Sequence, residues 1–268
     1  MARSNGSGHK EPLLAESRRA AILEMLRASG AVSVAEVQSR LGVSSMTARR
    51  DLGELASRGL AHRTHGGAVI PSISAHEDSF ALRLESATDA KLALAELAVQ
   101  RVQPRDAVYI DSSTTCYFVA RRLLESGMEL TLLTNSLPVM QMACAQGSPN
   151  VHLVGVGGTL RPLTQSFVGP YAVGTVLAHY ADHAFMSVKA LTATGMMLDA
   201  DQLEAEVKRT MIAHAKEPVL LIDRSKLTAR GLHAVAPVSE LELVLAYGAS
   251  NEELQLLTEA GVAVQSLD

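Results

Sequence analysis

Seven short apolar runs constrain this chain most from residue 107 onward: 107–110, 130–133, 151–154, 183–188, 219–222, 243–246 and 262–265. Runs of this length read as strands buried on both faces. Helix-like stretches lie between most of them, at about 90–102, 115–126, 136–146, 170–178, 202–215 and 250–260. Such alternation predicts a mostly parallel sheet with helices on both faces.

The first quarter of the chain reads differently. Residues 1–14 are polar and Gly/Ser-rich and read as a mobile tail. From Glu16 the pattern turns helical, with Ile22, Leu23, Met25 and Leu26 in an apolar stripe that Gly30 ends. Ser33 and Glu36 have capping-box spacing and open a second helix, which carries Val37 and Leu41 and stops at Gly42. Ser44 sits at a further N-cap position. The third helix turns Leu52 and Leu55 inward and ends near Gly59. Residues 60–69 read as a hairpin with Gly66-Gly67 near its end. The sequence thus predicts a helix-turn-helix domain with a wing over 15–70 and a connection over 71–88, helical near 80–84. An α/β domain follows over 89–268.

The third helix begins Ser-Met-Thr-Ala-Arg-Arg-Asp. Small hydroxyls reach base edges, and arginine binds guanine bidentately or clamps a phosphate. Ser44, Ser45, Met46, Thr47, Arg49 and Arg50 are the candidates for a DNA face. His62, Arg63 and His65 on the hairpin are placed to touch the DNA backbone beside it. Two plainer readings stand beside this one. Arg49-Arg50 also suits a solvated helix face, and a helix-turn-helix also serves as a protein-interaction module. Asp51 either orients an arginine or sits in solvent. Charge favours DNA: residues 1–70 hold 10 Lys/Arg and 6 Asp/Glu, whereas 71–268 hold 14 and 22.

Polar residues gather where the strands end. Asp111-Ser112-Ser113-Thr114-Thr115 follows the first run and opens a helix, where hydroxyls, free amides and the helix dipole suit an oxyanion. A plain Ser/Thr helix cap would look the same. Thr134-Asn135-Ser136 repeats the arrangement, and Gly157-Gly158 allows close backbone approach after the third run. Asp223 and Lys226 follow the fifth run, where Lys226 would neutralise a phosphate or form a surface ion pair. Strand ends converging on one crevice favour a pocket over any single motif.

Taken together these residues resemble the DeoR family of bacterial transcriptional regulators. In the first domain the matching positions are Val43-Ser44, Thr47, Arg49 to Leu52, Leu55, Gly59-Leu60, Arg63 and His65 to Ala68. Ala48, Gly53 and Ala56 depart from the family pattern. Gly53 within a helix costs roughly 1 kcal/mol relative to Ala. In the second domain they include Asp111, Thr114, Thr115, Thr134 to Ser136, Gly157-Gly158, Ser166, Gly169, Asp182, Gly195, Glu204, Lys208, Met211, Asp223, Ser225 and Lys226. The resemblance implies a sensor domain similar in fold to ribose-5-phosphate isomerase. It implies that a phosphorylated sugar or related metabolite binds there, with 111–115 holding the phosphate. Asn135, Gly157, Gly158, Lys189, Glu204, Lys208, Asp223 and Lys226 would then line the rest of the pocket. Ser113 stands where the family usually has Gly. Residues 187–194 lack the usual Asp/Gly-containing turn, so Lys189 brings a new charge.

The expected function is a sequence-specific DNA-binding regulator, a repressor of carbohydrate-metabolism genes released or retained by its effector. One helix-turn-helix reads one half-site, so a homodimer or homotetramer is expected on a double-stranded operator. The alternative is a sugar-phosphate isomerase or hydrolase using Asp111, Asp182, Glu204 or Lys208. Spacing alone does not bring two of these to one reacting atom. Glu204 and Lys208, four apart on a predicted helix, have the spacing of a surface pair. No dinucleotide fingerprint, His/Cys cluster, membrane-length apolar run or secretory signal is legible. With only Cys116 and Cys144, the expectation is a cytoplasmic protein without cofactor, metal or membrane partner.

Overall fold

The computed structural model describes residues 15–29, 31–64, 66–69 and 77–268. The tail 1–14 and His65 lie outside the described residues. The chain divides into two compact units, 1–75 and 76–268.

The first unit holds three helices, α1 (Ala15–Ser29), α2 (Val34–Leu41) and α3 (Ser45–Ser57). Its strands are β1 (Ala31–Ser33), β2 (His62–Arg63) and β3 (Gly67–Val69), paired antiparallel in the order β1-β3-β2. The capping box at α2 forms as its spacing requires: Ser33 Oγ accepts from Glu36 N at 3.1 Å, and Ser33 N donates to Glu36 Oε2 at 2.8 Å. Gly42 closes α2 in the left-handed region at φ 66°, and Ser44 caps α3 through Thr47 N at 3.2 Å. Ile22, Leu26, Val37, Ala48, Leu52 and Leu55 meet in one core. The strand β1 was not legible as a strand, because three residues carry no periodicity.

Gly67 lies where β3 passes β1. A Cβ there would stand 2.1 Å from Val32 O, whereas at Gly66 it would meet open space. Gly67→Ala should cost this unit about 1–3 kcal/mol, because a backbone atom cannot yield as a side chain does. Gly66→Ala should stay within about 0.5 kcal/mol. Urea-unfolding midpoints of the two variants check this, and equal losses would rule out the steric account.

The second unit opens with α4 (Phe80–Glu85) and α5 (Thr88–Val99). Then follow β4 (Ala107–Ile110), α6 (Thr114–Glu125), β5 (Leu130–Thr134), α7 (Leu137–Gln146) and β6 (Val151–Gly155). A hairpin of β7 (Thr159–Arg161) and β8 (Ser166–Val168) leads to α8 (Pro170–Leu177), β9 (Ala181–Met186), β10 (Ala190–Leu191) and β11 (Met196–Asp199). The chain ends through α9 (Gln202–Ala213), β12 (Ala215–Asp223), α10 (Ser225–Thr228), β13 (His233–Pro237), β14 (Leu243–Tyr247), α11 (Asn251–Glu259) and β15 (Ala263–Leu267).

Seven of these strands form one parallel sheet in the order β15-β14-β12-β9-β4-β5-β6. Side chains alternate across it. Val219 and Leu221 join the α5–α6 face, and Leu220 and Ile222 join the α9 face. Both faces are covered, which is why these strands read as unbroken apolar runs. The order reverses between β4 and β9: the chain runs from β4 out to β6, then returns to build β9, β12, β14 and β15 on the other side. A crevice opens at such a switch point, beyond the strands' carboxyl ends. The strands β10, β11 and β13 form a separate antiparallel sheet beside it.

Residues 77–88, read from the sequence as part of the connection, pack on this second unit. Phe80 meets Tyr117 edge-on at 5.8 Å, Phe80 N donates to Leu163 O at 2.8 Å, and Glu77 pairs with Arg161 at 3.0 Å. Among the described residues no helix is long and apolar enough to cross a membrane.

Candidate functional site

Two sites carry the polar residues singled out by the sequence. The first is the outer face of α3. Ala48, Leu52 and Leu55 are buried, while Ser44, Ser45, Arg49 and Arg50 are exposed and Met46 keeps 76 % of its surface. Ser45 and Arg49, and Met46 and Arg50, are four apart and form two adjoining stripes. Among the described residues neither arginine makes an ion pair within 4 Å. Thr47 is half-buried, and its hydroxyl lies 3.0 Å from Ser44 Oγ. Arg63 is exposed on β2. Asp51 is not solvated: it is buried and takes a two-pronged contact from Arg18 of α1, with Nη2 at 3.1 Å and Nε closer.

The second site is a cavity of about 230 Å³ in the second unit, beyond the ends of β4, β9 and β12. Ser113, Thr114 and Thr115 form one wall. Ser113 Oγ caps α6 by accepting from Cys116 N at 3.2 Å. Among the described residues the amides of Thr114 and Thr115 have no acceptor. They point out of the helix start with its positive dipole end. Ser187 and Lys189 come from the chain after β9, and Lys226 comes from α10. Ser187 is buried, and its hydroxyl has no partner.

Arg83 and Ser86 close the cavity from the α4 side. The Arg83 Nε and Nη2 atoms are buried without an acceptor. Lys91 of α5 anchors this wall from beneath, with Nζ donating to Ser86 O at 2.6 Å and also to Arg83 O. Burial pushes Lys91 down to about 8, with the charge of Lys226 acting in the same direction. Burial also lowers Lys226 below the ordinary lysine range; Asp223 opposes this, while Arg83, Lys189 and Lys208 add to it. Lys189 and Lys226 make no ion pair among the described residues. The lining also includes Asp78 and, paired with Arg161 and Lys208, Glu77 and Asp199; beside these acids the cavity presents cations without ion pairs and unfilled donors, the chemistry that receives a phosphate or carboxylate.

Lys208 and Asp199 also reach the lining, and they belong to a framework of matched charges that continues behind it. Lys208 Nζ stands 2.9 Å from Asp199 Oδ2 and 3.1 Å from Asp111 Oδ2, and donates to Ser187 O at 2.7 Å. Burial works against its charge, but Asp199, Asp111 and Glu204 hold it above the ordinary lysine range. Asp111 also accepts from Ser113 N at 2.9 Å and Ser187 N at 3.2 Å, tying the loops after β4 and β9 together. Glu204 accepts from Ser112 Oγ at 3.0 Å, Thr164 Oγ1 at 2.9 Å, Arg161 Nη1 at 2.9 Å and Ser166 Oγ. Burial opposes its ionisation, yet Lys208, Ser166, Arg161 and Thr164 hold the carboxyl below the usual range.

The structure thus brings Ser113, Thr114, Thr115, Lys189, Lys208 and Lys226 to the cavity wall. Asp111, Ser112 and Glu204 stand behind it. The surface-pair spacing of Glu204 and Lys208 misleads, since both are buried where α9 faces the sheet. Four more of the expected pocket positions lie outside the cavity lining, and in three of them polar or backbone groups serve the fold. Asn135 Nδ2 donates to Phe167 O at 3.0 Å, joining β5 to the hairpin. Gly158 lets that hairpin pass close, for a Cβ would lie 2.6 Å from Val168 O. Asp223 accepts from Ser225 N at 2.9 Å and shapes the turn that presents Lys226. Gly157 is exposed with open space around it. Arg83, Ser86 and Ser187 were not singled out from the sequence, since no strand-end or helix-cap pattern marks them.

Comparison with known proteins covers both units. Residues 18–74 match the DeoR-like helix-turn-helix domain, and residues 86–246 match the DeoR C-terminal sensor domain. The chain is 31% identical to a putative aga operon transcriptional repressor of Escherichia coli O157:H7, covering 98% of each. It is 33% identical to the HTH-type transcriptional regulator GlpR of Haloferax volcanii, covering 94% of this chain and 98% of that one. The HTH-type transcriptional repressor GlcR of Bacillus subtilis is 28% identical over 92% of this chain and 94% of its own. Among solved structures, ribose 5-phosphate isomerase A of Methanocaldococcus jannaschii is similar over 53% of this chain and 55% of its own. That match has 19% identity and a TM-score of 0.40.

Proposed function

Since the chain belongs to the DeoR family of DNA-binding transcriptional regulators, we propose that it represses genes of carbohydrate metabolism under the control of a phosphorylated sugar or related metabolite. The observation that carries this reading is the pairing, in one chain, of an exposed arginine-bearing helix with a cavity of unmatched cations at a helix amino end. The family is one of regulators, so the cavity is read as a sensor and not as a place of turnover.

On this reading Ser45, Met46, Arg49 and Arg50 meet base edges and phosphates in the major groove, with Ser44 and Thr47 at the helix start. Arg63 and His65 lie along the DNA backbone. In the sensor unit the effector's phosphate sits against Ser113, Thr114 and Thr115, with Lys226 opposite. Lys189 and the Ser187 hydroxyl meet the remainder of the molecule. Asp111, Ser112, Asn135, Gly157, Gly158, Glu204, Lys208 and Asp223 hold that wall in shape. Effector binding then shifts the balance between forms that hold DNA well and poorly. The chain works in the cytoplasm as a homodimer or homotetramer spanning two half-sites. The E. coli and B. subtilis relatives, both named as repressors, favour repression over activation.

Fluorescence anisotropy against the gene's own upstream DNA, at fixed salt, tests the DNA face. Fixed salt matters because phosphate contacts make affinity strongly dependent on ionic strength. Arg49→Ala and Arg50→Ala should each weaken binding by about 1–3 kcal/mol where the arginine contacts a base. Unchanged affinity in both variants would sink the assignment. A panel of pentose and hexose phosphates added to the same titration tests the sensor. Indifference to every one of them counts against a sugar-phosphate effector.

A further inference from the structure

The cavity wall is built from two kinds of chain. One is the rigid sheet framework, represented by the amino end of α6 and the loop after β9. The other is the segment 77–86, the stretch of the second unit next in sequence to the first unit. That segment is tied to the rest of the unit by the buried Phe80 ring against Tyr117 and by polar bonds. Glu77 pairs with Arg161, Phe80 N reaches Leu163 O, and Lys91 Nζ takes the carbonyls of Arg83 and Ser86. Thr114 Oγ1 approaches Arg83 O at a long 3.4 Å. The Arg83 guanidinium meanwhile leaves Nε and Nη2 buried with no acceptor. In the same cavity lining the buried Ser187 hydroxyl is also without a partner. An unfilled guanidinium and an unfilled hydroxyl, facing a cavity at a helix start, lack one thing in common, which is an acceptor oxygen.

We propose that Arg83 is a direct phosphate ligand and that the phosphate, clamped between Arg83 and the amino end of α6, couples the cavity to the DNA-binding unit through the segment 77–86. This deepens the sensor reading above and rests on it. Guanidinium and phosphate match in geometry as a two-pronged pair. The phosphate adds a charge-assisted bond between α4 and α6 to the Phe80–Tyr117 contact and the long Thr114–Arg83 hydrogen bond. Fixing Arg83 adds a further tie to the α4 backbone, which Phe80 anchors at its start and Lys91 near its end. The segment 77–86, which in sequence adjoins the first unit, is therefore held more firmly in the phosphate-bound form than in the free one. Phosphate binding differentially to these two forms is what a coupling between sites requires.

The test uses the full chain and inorganic phosphate as the probe, with ionic strength matched by chloride. Amide hydrogen exchange is read in α4 and in the first turn of α6, for the wild type and for Arg83→Gln. Affinity for upstream DNA is read in parallel. In the wild type, phosphate should protect both segments and shift the DNA dissociation constant roughly fivefold or more. In Arg83→Gln, phosphate should bind roughly tenfold more weakly. At saturation it should still protect α6, but leave α4 and the DNA affinity unchanged. Protection of α6 alone in the wild type would overturn the coupling and leave the cavity as a phosphate site. Protection of both segments without any change in DNA affinity overturns it equally. Protection of neither overturns the coupling and the sensor reading together.

Discussion

Lys208→Met should destabilise the α/β unit by about 3–5 kcal/mol, because it strands two buried carboxylates. Lys208 is 6 % exposed, and its ammonium is the cation that stands between Asp111 and Asp199, themselves 1 % and 6 % exposed. Methionine preserves the volume and removes only the charge and the bond to Ser187 O. For a unit of this size each kcal/mol moves the melting temperature by about 2–4 °C, so the loss should reach roughly 10 °C. The pH dependence follows from the direction of the shifts. Lys208 is held above the ordinary lysine range, so its contribution is complete at neutral pH and fades only as pH rises through that raised value. Glu204 is held below the ordinary range, so its contribution fades only as pH falls through that depressed value. Wild-type stability should therefore be flat with respect to both groups around neutrality. The deficit of the variant should shrink in acid, where a stranded carboxylate sheds its charge by binding a proton. Thermal unfolding of both proteins across pH reads this out. A loss below about 1 kcal/mol would mean that the cluster is not the keystone its burial makes it.

The same cluster explains what the sequence revealed and what it hid. The central strands and the helices α5 to α9 and α11 follow from local patterns, so their places could be read directly. The strand β9 runs Ala181–Met186, not 183–188, because Ser187 leaves the sheet to meet Asp111 and Lys208. The hairpin β7–β8 and the strands β10, β11 and β13 were not legible. They are two to five residues long and owe their existence to pairing, not to periodicity. Polar residues at strand ends were a fair guide to the crevice and a poor guide to which of them face it. Asn135 and Glu204 look like ligand residues in sequence, yet their bonds go to Phe167, Ser112, Thr164 and Ser166. Arg83 looks like nothing in particular, because only the folding-back of α4 brings it to the cavity.

Asp51→Ala should cost the first unit about 3 kcal/mol, the low end for breaking a buried pair, since the Arg18 side chain keeps 13% of its surface. From sequence Asp51 was ambiguous, one more polar residue beside Arg49 and Arg50. In the fold it is 2 % exposed and points the other way, fastening α3 to α1 through the fork of Arg18. The arginines that face outward and the aspartate that faces inward thus share one helix for opposite reasons. A unit this small has little stability to spare, so losing the pair should unfold a measurable fraction of it at physiological temperature. DNA affinity should fall in proportion to that unfolded fraction, and added osmolyte should restore it. The companion variant Arg18→Met/Asp51→Leu separates charge from packing. With no charge left buried, it should regain most of the lost stability and hold DNA nearly as the wild type does. A double variant as unstable as Asp51→Ala would assign the effect to shape instead. Full stability but lost DNA binding in Asp51→Ala would move Asp51 into the DNA interface.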